Sequence, residues 1–193
     1  MSRPSDKHLS NFYANIMREN ALLYKYQFLV QLMGPADLGW NNSASQNFSY
    51  YVQSGSIPGT KLVNGKTVFF GTEFRIPGVK QFEHNWQTEI LIDQDLTIYK
   101  KLEAWRDSIS SLRIDGGGIK QIQPYKAKIS TLNPDHQTIN ESYILEGLWI
   151  KSLGDINLAY QNNGGGDVLK IPAEFRYQYV YREGDGDPLD ASN

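Results

Sequence analysis

The most regular stretch of the chain is residues 82–92, which read FEHNWQTEILI. Their side chains alternate between two types, as they do on the two faces of an extended strand. The apolar face consists of Phe82, His84, Trp86, Thr88, Ile90 and Ile92. The polar, acidic face consists of Glu83, Asn85, Gln87 and Glu89 and continues to Asp93 just beyond the stretch, with Leu91 as the single exception. This pattern predicts one long strand with its first face on a core and its second against water or a polar partner.

Alternation of the same period recurs on both sides of this stretch. It predicts further strands within residues 24–32, 48–54, 61–63, 66–70, 72–76, 125–132, 142–149, 156–160 and 169–181. In the last run, Pro172 indicates an edge position or a bulge, because proline lacks a backbone donor. Aromatic residues are abundant, with 4 Trp, 12 Tyr and 8 Phe, which also favours β structure.

One amphipathic helix interrupts the strands. Asp93 or Asp95 can cap its start, and its apolar stripe consists of Ile98, Leu102, Trp105 and Ile109. Strands, one helix, and strands again predict a mainly β fold. We expect an antiparallel β-sandwich or partial barrel with one flanking α-helix and an N-terminal helical extension.

Turn signals divide the strands. Residues 35–47 contain turn formers and small polar residues and are predicted to form a loop. Asn64-Gly65 lies between two short strands and predicts a hairpin turn, since this dipeptide suits a two-residue hairpin loop.

The chain is predicted to have three parts. Residues 1–23 form an extension with a short helix, whose apolar stripe fits its own domain or a neighbouring copy equally well. Residues 24–183 form the β domain. Residues 184–193 form an acidic tail that we expect to be disordered.

Composition excludes several classes of protein. The 193 residues include no cysteine, which excludes thiolate zinc sites and cysteine nucleophiles. The net charge of -2 argues against a tight nucleic-acid binder. No apolar run approaches the ~20 residues of a membrane helix, and an apolar signal-peptide segment is absent from the N-terminus.

No motif indicates catalysis. Phosphate-binding loop, nucleophile-elbow and H-E-x-x-H patterns are absent, and the three histidines are far apart in sequence. We expect His84 to be a core residue, and Glu83 and Glu89 to belong to a solvated face rather than a glycosidase pair. The sequence therefore predicts a protein without enzymatic activity, cofactor or metal.

The order of several segments resembles the tail tube proteins of contractile-tail bacteriophages. The matching segments are residues 28–32, 48–59, 74–78, 82–92, 102–105, 145–150 and 153–158. The stretch ending in Gly147-Leu148-Trp149-Ile150 is similar to a recurring G-L-W-P segment of that family, with Ile150 in place of the proline. The resemblance extends from about residue 24 to residue 181.

The resemblance implies a structural virion protein. Such proteins form hexameric rings that stack into a tube inside a contractile sheath, and viral DNA is ejected through it. The implied partners are other copies, the sheath protein, the baseplate tube initiator, the tail terminator and DNA in transient passage. It implies location in the virion tail, assembly in the host cytoplasm and no stable membrane association.

Within this hypothesis, two surfaces are candidates for function. The acidic strand face, Glu83, Asn85, Gln87 and Glu89, is predicted to line the lumen, where negative charge keeps DNA from sticking. The mixed face of the last strand is a second candidate but suits an outer or intersubunit position better; it consists of Lys170, Glu174, Arg176, Gln178 and Arg182. The predicted ring-stacking residues are Val63, Asn64, Gly65, Lys66, Phe74 and Arg75.

Two alternatives remain open from the sequence. The first is a related protein at another place, either a baseplate tube initiator or the inner tube of a secretion system or bacteriocin. The second is a monomeric carbohydrate-binding β-sandwich, in which exposed Trp40 and tyrosine side chains would form a sugar platform.

Overall fold

The computed structural model describes residues 22–109, 124–158 and 168–188. The predicted N-terminal helix lies outside these residues. The helices are α1 (Asn42–Tyr51) and α2 (Thr97–Ile109). The strands are β1 (Phe28–Met33), β2 (Val52–Ser54), β3 (Thr60–Phe69), β4 (Thr72–Phe82), β5 (Asn85–Leu91), β6 (Lys126–Leu132), β7 (Ile139–Glu146), β8 (Trp149–Leu153), β9 (Lys170–Arg176) and β10 (Tyr179–Arg182).

The strands form two four-stranded sheets and one separate hairpin. Sheet 1 has the order β1-β6-β7-β10, sheet 2 has the order β2-β5-β9-β8, and β3 pairs with β4. All pairs are antiparallel. The predicted mainly β, antiparallel class is therefore confirmed. In the described part of the chain, however, no sheet closes into a barrel and two α-helices are present instead of one.

The inner faces of the two sheets share one hydrophobic core. In sheet 2, the neighbours Trp86, Phe175 and Ile150 form a row across three strands and are all buried. The corresponding row of sheet 1 consists of Leu32, Ala127, Leu145 and Val180. Because side chains of a strand alternate, the other face of each sheet points away from this core.

Helix α2 closes one side of the core. Ile98, Leu102 and Trp105 are buried, and Ile109 packs half-buried against the same cluster. Asp93 caps the helix, since its carboxylate accepts hydrogen bonds from the backbone N–H groups of Thr97 at 3.0 Å and Ile98 at 3.2 Å. Burial alone would raise the pKa of Asp93, but the hydrogen bonds from Ile98 and Thr97 hold it below its ordinary value.

The prediction of a loop over 35–47 and a strand over 48–54 is wrong. A 3-10 helix over Ala36–Leu38 and then α1 occupy most of this region, and only Val52–Ser54 is extended. The Asn41 side chain caps α1 by accepting from Ala44 N–H at 2.8 Å. The Ser45 hydroxyl donates to the Leu32 carbonyl at 2.5 Å and Phe48 is buried, so tertiary contacts outweigh the weak helix propensity of Asn and Ser.

The predicted single strand over 82–92 is interrupted. β4 ends at Phe82 and β5 begins at Asn85, because His84 adopts a left-handed backbone conformation with φ 54°. His84 is exposed rather than in the core, contrary to our expectation. Its ring Nδ1 lies 3.0 Å from the Tyr177 carbonyl oxygen, which holds this corner against the end of β9.

The predicted last strand is divided between the sheets. β9 belongs to sheet 2 and β10 to sheet 1, and the Gln178 N–H bonds to the Glu146 carbonyl at 2.8 Å where the chain crosses. Pro172 lies in an interior strand, not at an edge. The nearby irregularity is in β8, whose register shifts between Ile150 and Ser152.

Glu183 and the first residues of the predicted acidic tail contact sheet 1. A 3-10 helix covers Glu183–Asp185, and Glu183 pairs with Lys128 at 2.7 Å. The Tyr179 hydroxyl donates to the two carboxylate oxygens of Asp187, at 3.1 and 3.2 Å. Burial and this hydrogen bond raise the pKa of Tyr179 to about 12.

Candidate functional site

The hairpin of β3 and β4, residues 60–82, projects from the sandwich; we call it the arm. Every residue from 60 to 81 is exposed. Ten residues of β3 at about 3.3 Å each give the arm a length of roughly 30 Å. An isolated two-stranded hairpin is only marginally stable in water, so a partner is needed to hold this shape.

The turn of the arm is not at Asn64-Gly65, as predicted, but at Phe70-Gly71. Phe69 pairs with Thr72, and the two residues between them have φ values of 49° and 74°, as a type I′ turn requires. The predicted turn dipeptide lies inside β3, beside a register shift.

That register shift depends on a glycine. A Cβ at Gly78 would lie 2.3 Å from the carbonyl oxygen of Val63, so only glycine allows the two backbones to approach this closely. The local turn signal at Asn64-Gly65 therefore gives way to a longer hairpin that extends the pairing from Asn64 to Phe69.

The outer part of the arm has two chemically different faces. On one face Glu73 lies between Lys66 at 2.7 Å and Arg75 at 3.4 Å, and Val68 and Asn64 share that face by alternation. The opposite face is apolar or small and consists of Phe69, Phe74, Ile76, Thr67, Thr72 and Gly65. The arm therefore resembles a strand pair of a sandwich whose second layer is absent from the described part of the chain.

The six predicted ring-stacking residues all lie in the arm. Phe74 and Gly65 are on its apolar face, whereas Asn64, Lys66 and Arg75 are on its charged face. Other apolar side chains of the arm are absent from that set although they are more exposed than Phe74. They include Phe69 at 64% and Phe70 at 92%, which lie nearer the tip, and Ile76 at 54%, which lies farther from it. Contiguous exposed apolar surface of this kind marks an interaction site.

The predicted lumen residues do not all lie on one strand face. Asn85, Gln87 and Glu89 point outward from β5, opposite the core row. Glu83 precedes β5 and instead pairs with Lys61 at the base of the arm, at 2.9 Å. The four side chains would lie on one face only if residues 83–89 formed a continuous strand. The left-handed backbone at His84 interrupts that strand.

The outer face of sheet 2 also contains three of the five residues of the mixed set, Lys170, Glu174 and Arg176. Glu174 neighbours Gln87 and Arg176 neighbours Asn85 across the β5–β9 pair. The Lys151 ammonium donates to Glu174 at 2.8 Å, which holds the pKa of Glu174 below its ordinary value. Residues from both predicted faces, the acidic one proposed for the lumen and the mixed one of the last strand, thus lie on the same surface. The sequence-based assignment of the two faces to different surfaces is wrong for these residues.

Other members of these sets are placed differently. Arg182 is in sheet 1, where it pairs with Glu141 at 3.2 Å. Among the described residues, neither Glu89 nor Lys170, which both lie on the outer face of sheet 2, has an ion-pair partner.

Trp40 does not form an exposed platform. It is only 5% exposed and packs edge-on against Phe48 and Trp105, with ring centroids 5.6 and 5.9 Å away. The sugar-platform alternative is therefore wrong for this residue.

Neither metal-binding nor membrane-spanning features emerge from the described ranges. Residues 22–109, 124–158 and 168–188 contain no cluster of three or more His, Asp and Glu side chains able to hold a metal ion. Within the same ranges, neither helix has the length and apolar character needed to cross a membrane.

A sandwich of this topology is also found in contractile injection systems. The chain is similar to a protein in the baseplate structure of the anti-feeding prophage (TM-score 0.58, 13% identity, 85% of this chain and 97% of that one). It is similar to chains in two structures of the extracellular contractile injection system PVC. These are a sheath/tube terminator (0.56, 15%, 83% and 96%) and a sheath–tube complex (0.53, 16%, 94% and 98%).

No curated protein matches the chain. The family model of the phage tail tube protein matches residues 23–183, which is most of its length. The chain therefore belongs to the phage tail tube protein family, and its role is structural, as a component of a tail tube.

Proposed function

We propose that copies of this chain form hexameric rings that stack into the inner tube of a contractile phage tail, the conduit for ejected DNA. Membership of the tail tube family supports the tube. The stacking is supported by the arm, because the side chains of its apolar face are exposed to solvent in the single chain.

The arm suits a contact that repeats along an axis. It projects from one place on the sandwich, and no second, symmetry-matched arm is present in the described residues. A contact between two arms would be isologous and would stop at a dimer, so propagation needs the arm to meet a different surface on the next copy. Such a heterologous contact generates an open filament when it does not close and a ring when it does, and a stacked tube needs one contact of each type.

The proposed partners follow from the same role. Proteins of this fold occur in structures named as a sheath–tube complex, a baseplate and a tube terminator, which supports contacts with a sheath, a baseplate tube initiator and a terminator. We place the protein in the virion tail after assembly in the host cytoplasm. Its part is mechanical, and no enzymatic step is assigned to it.

For the lumen we propose the outer face of sheet 2. This face is polar and exposed, and its cations are partly neutralised, because Glu174 accepts from Lys151 and lies 3.6 Å from Arg176. Of the described cations on this face, Lys170 alone has no ion-pair partner, and the carboxylate of Glu89 lies on the same face. A wall with so little uncompensated positive charge holds phosphate weakly, because phosphate binding depends on uncompensated Lys and Arg. Glu89, Gln87 and Asn85 are the proposed lumen residues.

Electron microscopy of the purified protein tests this proposal. The full chain should form tubes. A variant in which Lys66–Arg75 is replaced by Asn-Gly keeps the pairing below Gly65 and Ile76, closes the hairpin there, and should remain folded without forming long tubes. Full-chain protein that stays monomeric at any concentration would contradict the proposal, and so would normal tubes from the shortened arm. Single rings that never stack would favour an initiator role instead.

A further inference from the structure

The tip of the arm carries an unusual aromatic residue. Phe70 occupies the first position of the type I′ turn with φ 49°, where Asn, Asp or Gly is normally found. A bulky side chain in this left-handed region strains the backbone, and its ring is 92% exposed. Neither property helps the isolated chain, and strained residues of this kind concentrate at functional positions.

A groove of suitable chemistry lies at the other end of the arm. Its volume is about 460 Å³, and its apolar lining consists of Leu23, Tyr24, Phe28, Ile57 and Ile129. Three of these side chains are well exposed in the single chain: Leu23 at 57%, Tyr24 at 57% and Ile57 at 40%.

The aromatic character of this surface continues beyond the groove. The Tyr24 ring stacks on Tyr26 at a centroid distance of 5.4 Å, and Tyr26 stacks on His136 at 5.5 Å. A phenyl ring entering beside Tyr24 would therefore meet ring faces and edges, which aromatic pairs favour.

We propose that Phe70 of one copy inserts into this groove on a second copy. The inference rests on the proposed tube and names the surface that receives the arm. The occupant is another copy of the chain for a geometric reason: Gly55 and Ile57 form one wall of the groove and lead directly into β3. The groove thus lies at the base of the arm, roughly 30 Å from the tip, so the tip of an arm cannot reach the groove of its own chain.

The placement also explains propagation. A tip that binds at the base of the next copy leaves the second tip free to bind a third, so the contact repeats in the direction of the arm without closing. The exposed ring of Phe70 and the exposed apolar side chains of the groove then cover each other. The unfavourable backbone conformation and the exposed ring of Phe70 are compensated only when the ring is buried in a second copy. In the isolated chain they bring no stabilisation.

Disulfide trapping tests the contact directly, because the chain contains no cysteine. The double variant Phe70→Cys/Ile57→Cys is oxidised in the full chain at a concentration about a hundredfold or more above that at which the unmodified protein forms tubes, so that loss of the phenyl ring is offset. It should then give a ladder of covalent oligomers on a non-reducing gel. Each single variant can give at most dimers. The matched control Phe70→Cys/Tyr50→Cys places the second thiol on α1, at a residue that is 78% exposed and outside the groove, and should give no ladder. Absence of a ladder from the first pair, or equal ladders from both, would overturn the inference.

A second variant separates docking from folding. Phe70→Asn creates the dipeptide preferred in a type I′ turn, so the melting temperature of the unassembled protein should stay the same or rise. The protein concentration needed for tubes should increase by about tenfold or more, as for removal of an interface anchor. Tubes at the unmodified concentration would overturn the inference while leaving the tube proposal intact. Failure of the unmodified protein to form tubes would count against the tube itself.

Discussion

The arm and sheet 2 are built from equally regular antiparallel strands, yet their burial differs completely. In the β5–β9 pair, alternate side chains such as Trp86 and Phe175 are fully buried. In the β3–β4 pair, residues 60–81 are all exposed, although Phe74 and Ile76 alternate with Glu73 and Arg75 in the same way. Period-two alternation therefore shows that one face of a strand will be covered, but not by which molecule.

This comparison predicts opposite consequences for the same kind of mutation. Trp105→Ala removes a side chain that is fully buried beside Trp40, Tyr125 and Phe175, and should lower the free energy of unfolding by about 3–5 kcal/mol. Phe74→Ala in the arm removes an exposed ring and should change it by less than about 0.5 kcal/mol. Thermal or denaturant unfolding of unassembled protein measures both. Similar losses would mean that the arm packs on its own sandwich.

The next prediction concerns assembly and the two faces of the arm. Phe74→Ser removes an aromatic side chain from the apolar face, whereas Val68→Ser removes an exposed apolar side chain from the charged face. The first should weaken the contact by about 2 kcal/mol or more, the range of an interface hot spot. This corresponds to roughly 30-fold in the concentration needed for tubes.

The matched variant should have little effect on assembly, since its face already carries the Lys66–Glu73–Arg75 ion pairs. Sedimentation of tubes over a concentration series measures the difference. An equal change in the concentration needed for tubes with both variants would contradict the prediction. It would mean that neighbouring copies contact both faces of the arm or neither face.

Much of the sandwich was predictable because its own chain covers it. The α2 stripe of Ile98, Leu102 and Trp105 and the inward face of β5 follow from period alone. The errors lie where tertiary contacts outweigh local propensity. Helix α1 forms because Phe48 is buried and Ser45 bonds to β1, and neither contact can be read from a run of Asn and Ser.

The candidate site was less predictable for a physical reason. Asn64-Gly65 is a strong local turn signal, but the pairing out to Phe69 and Thr72 outweighs it, and the turn then falls on a dipeptide that begins with phenylalanine. No local sequence rule places Phe at this turn position, because the role that we propose for its side chain is a contact with another copy. The corner at His84 was similarly hidden, and it separates Glu83 from the other predicted lumen residues.

The smallest expected effect concerns the outer face of sheet 2, a third kind of surface that is neither core nor apolar. Glu89→Lys should change neither unfolding nor tube formation, because Glu89 is exposed and has no ion-pair partner among the described residues. If this face lines the lumen, the added lysines of each ring should retain short duplex DNA inside the tube, protected from nuclease. Retention should decrease as salt rises, since it depends on phosphate contacts.

The matched control is Asp95→Lys, which makes the same charge change at an exposed residue just before α2. DNA bound at that residue should remain accessible to nuclease. Equal nuclease protection for the two variants, or none for Glu89→Lys at low salt, would contradict the lumen assignment, while the predicted contrast would show that the polar face of the sandwich is turned inward.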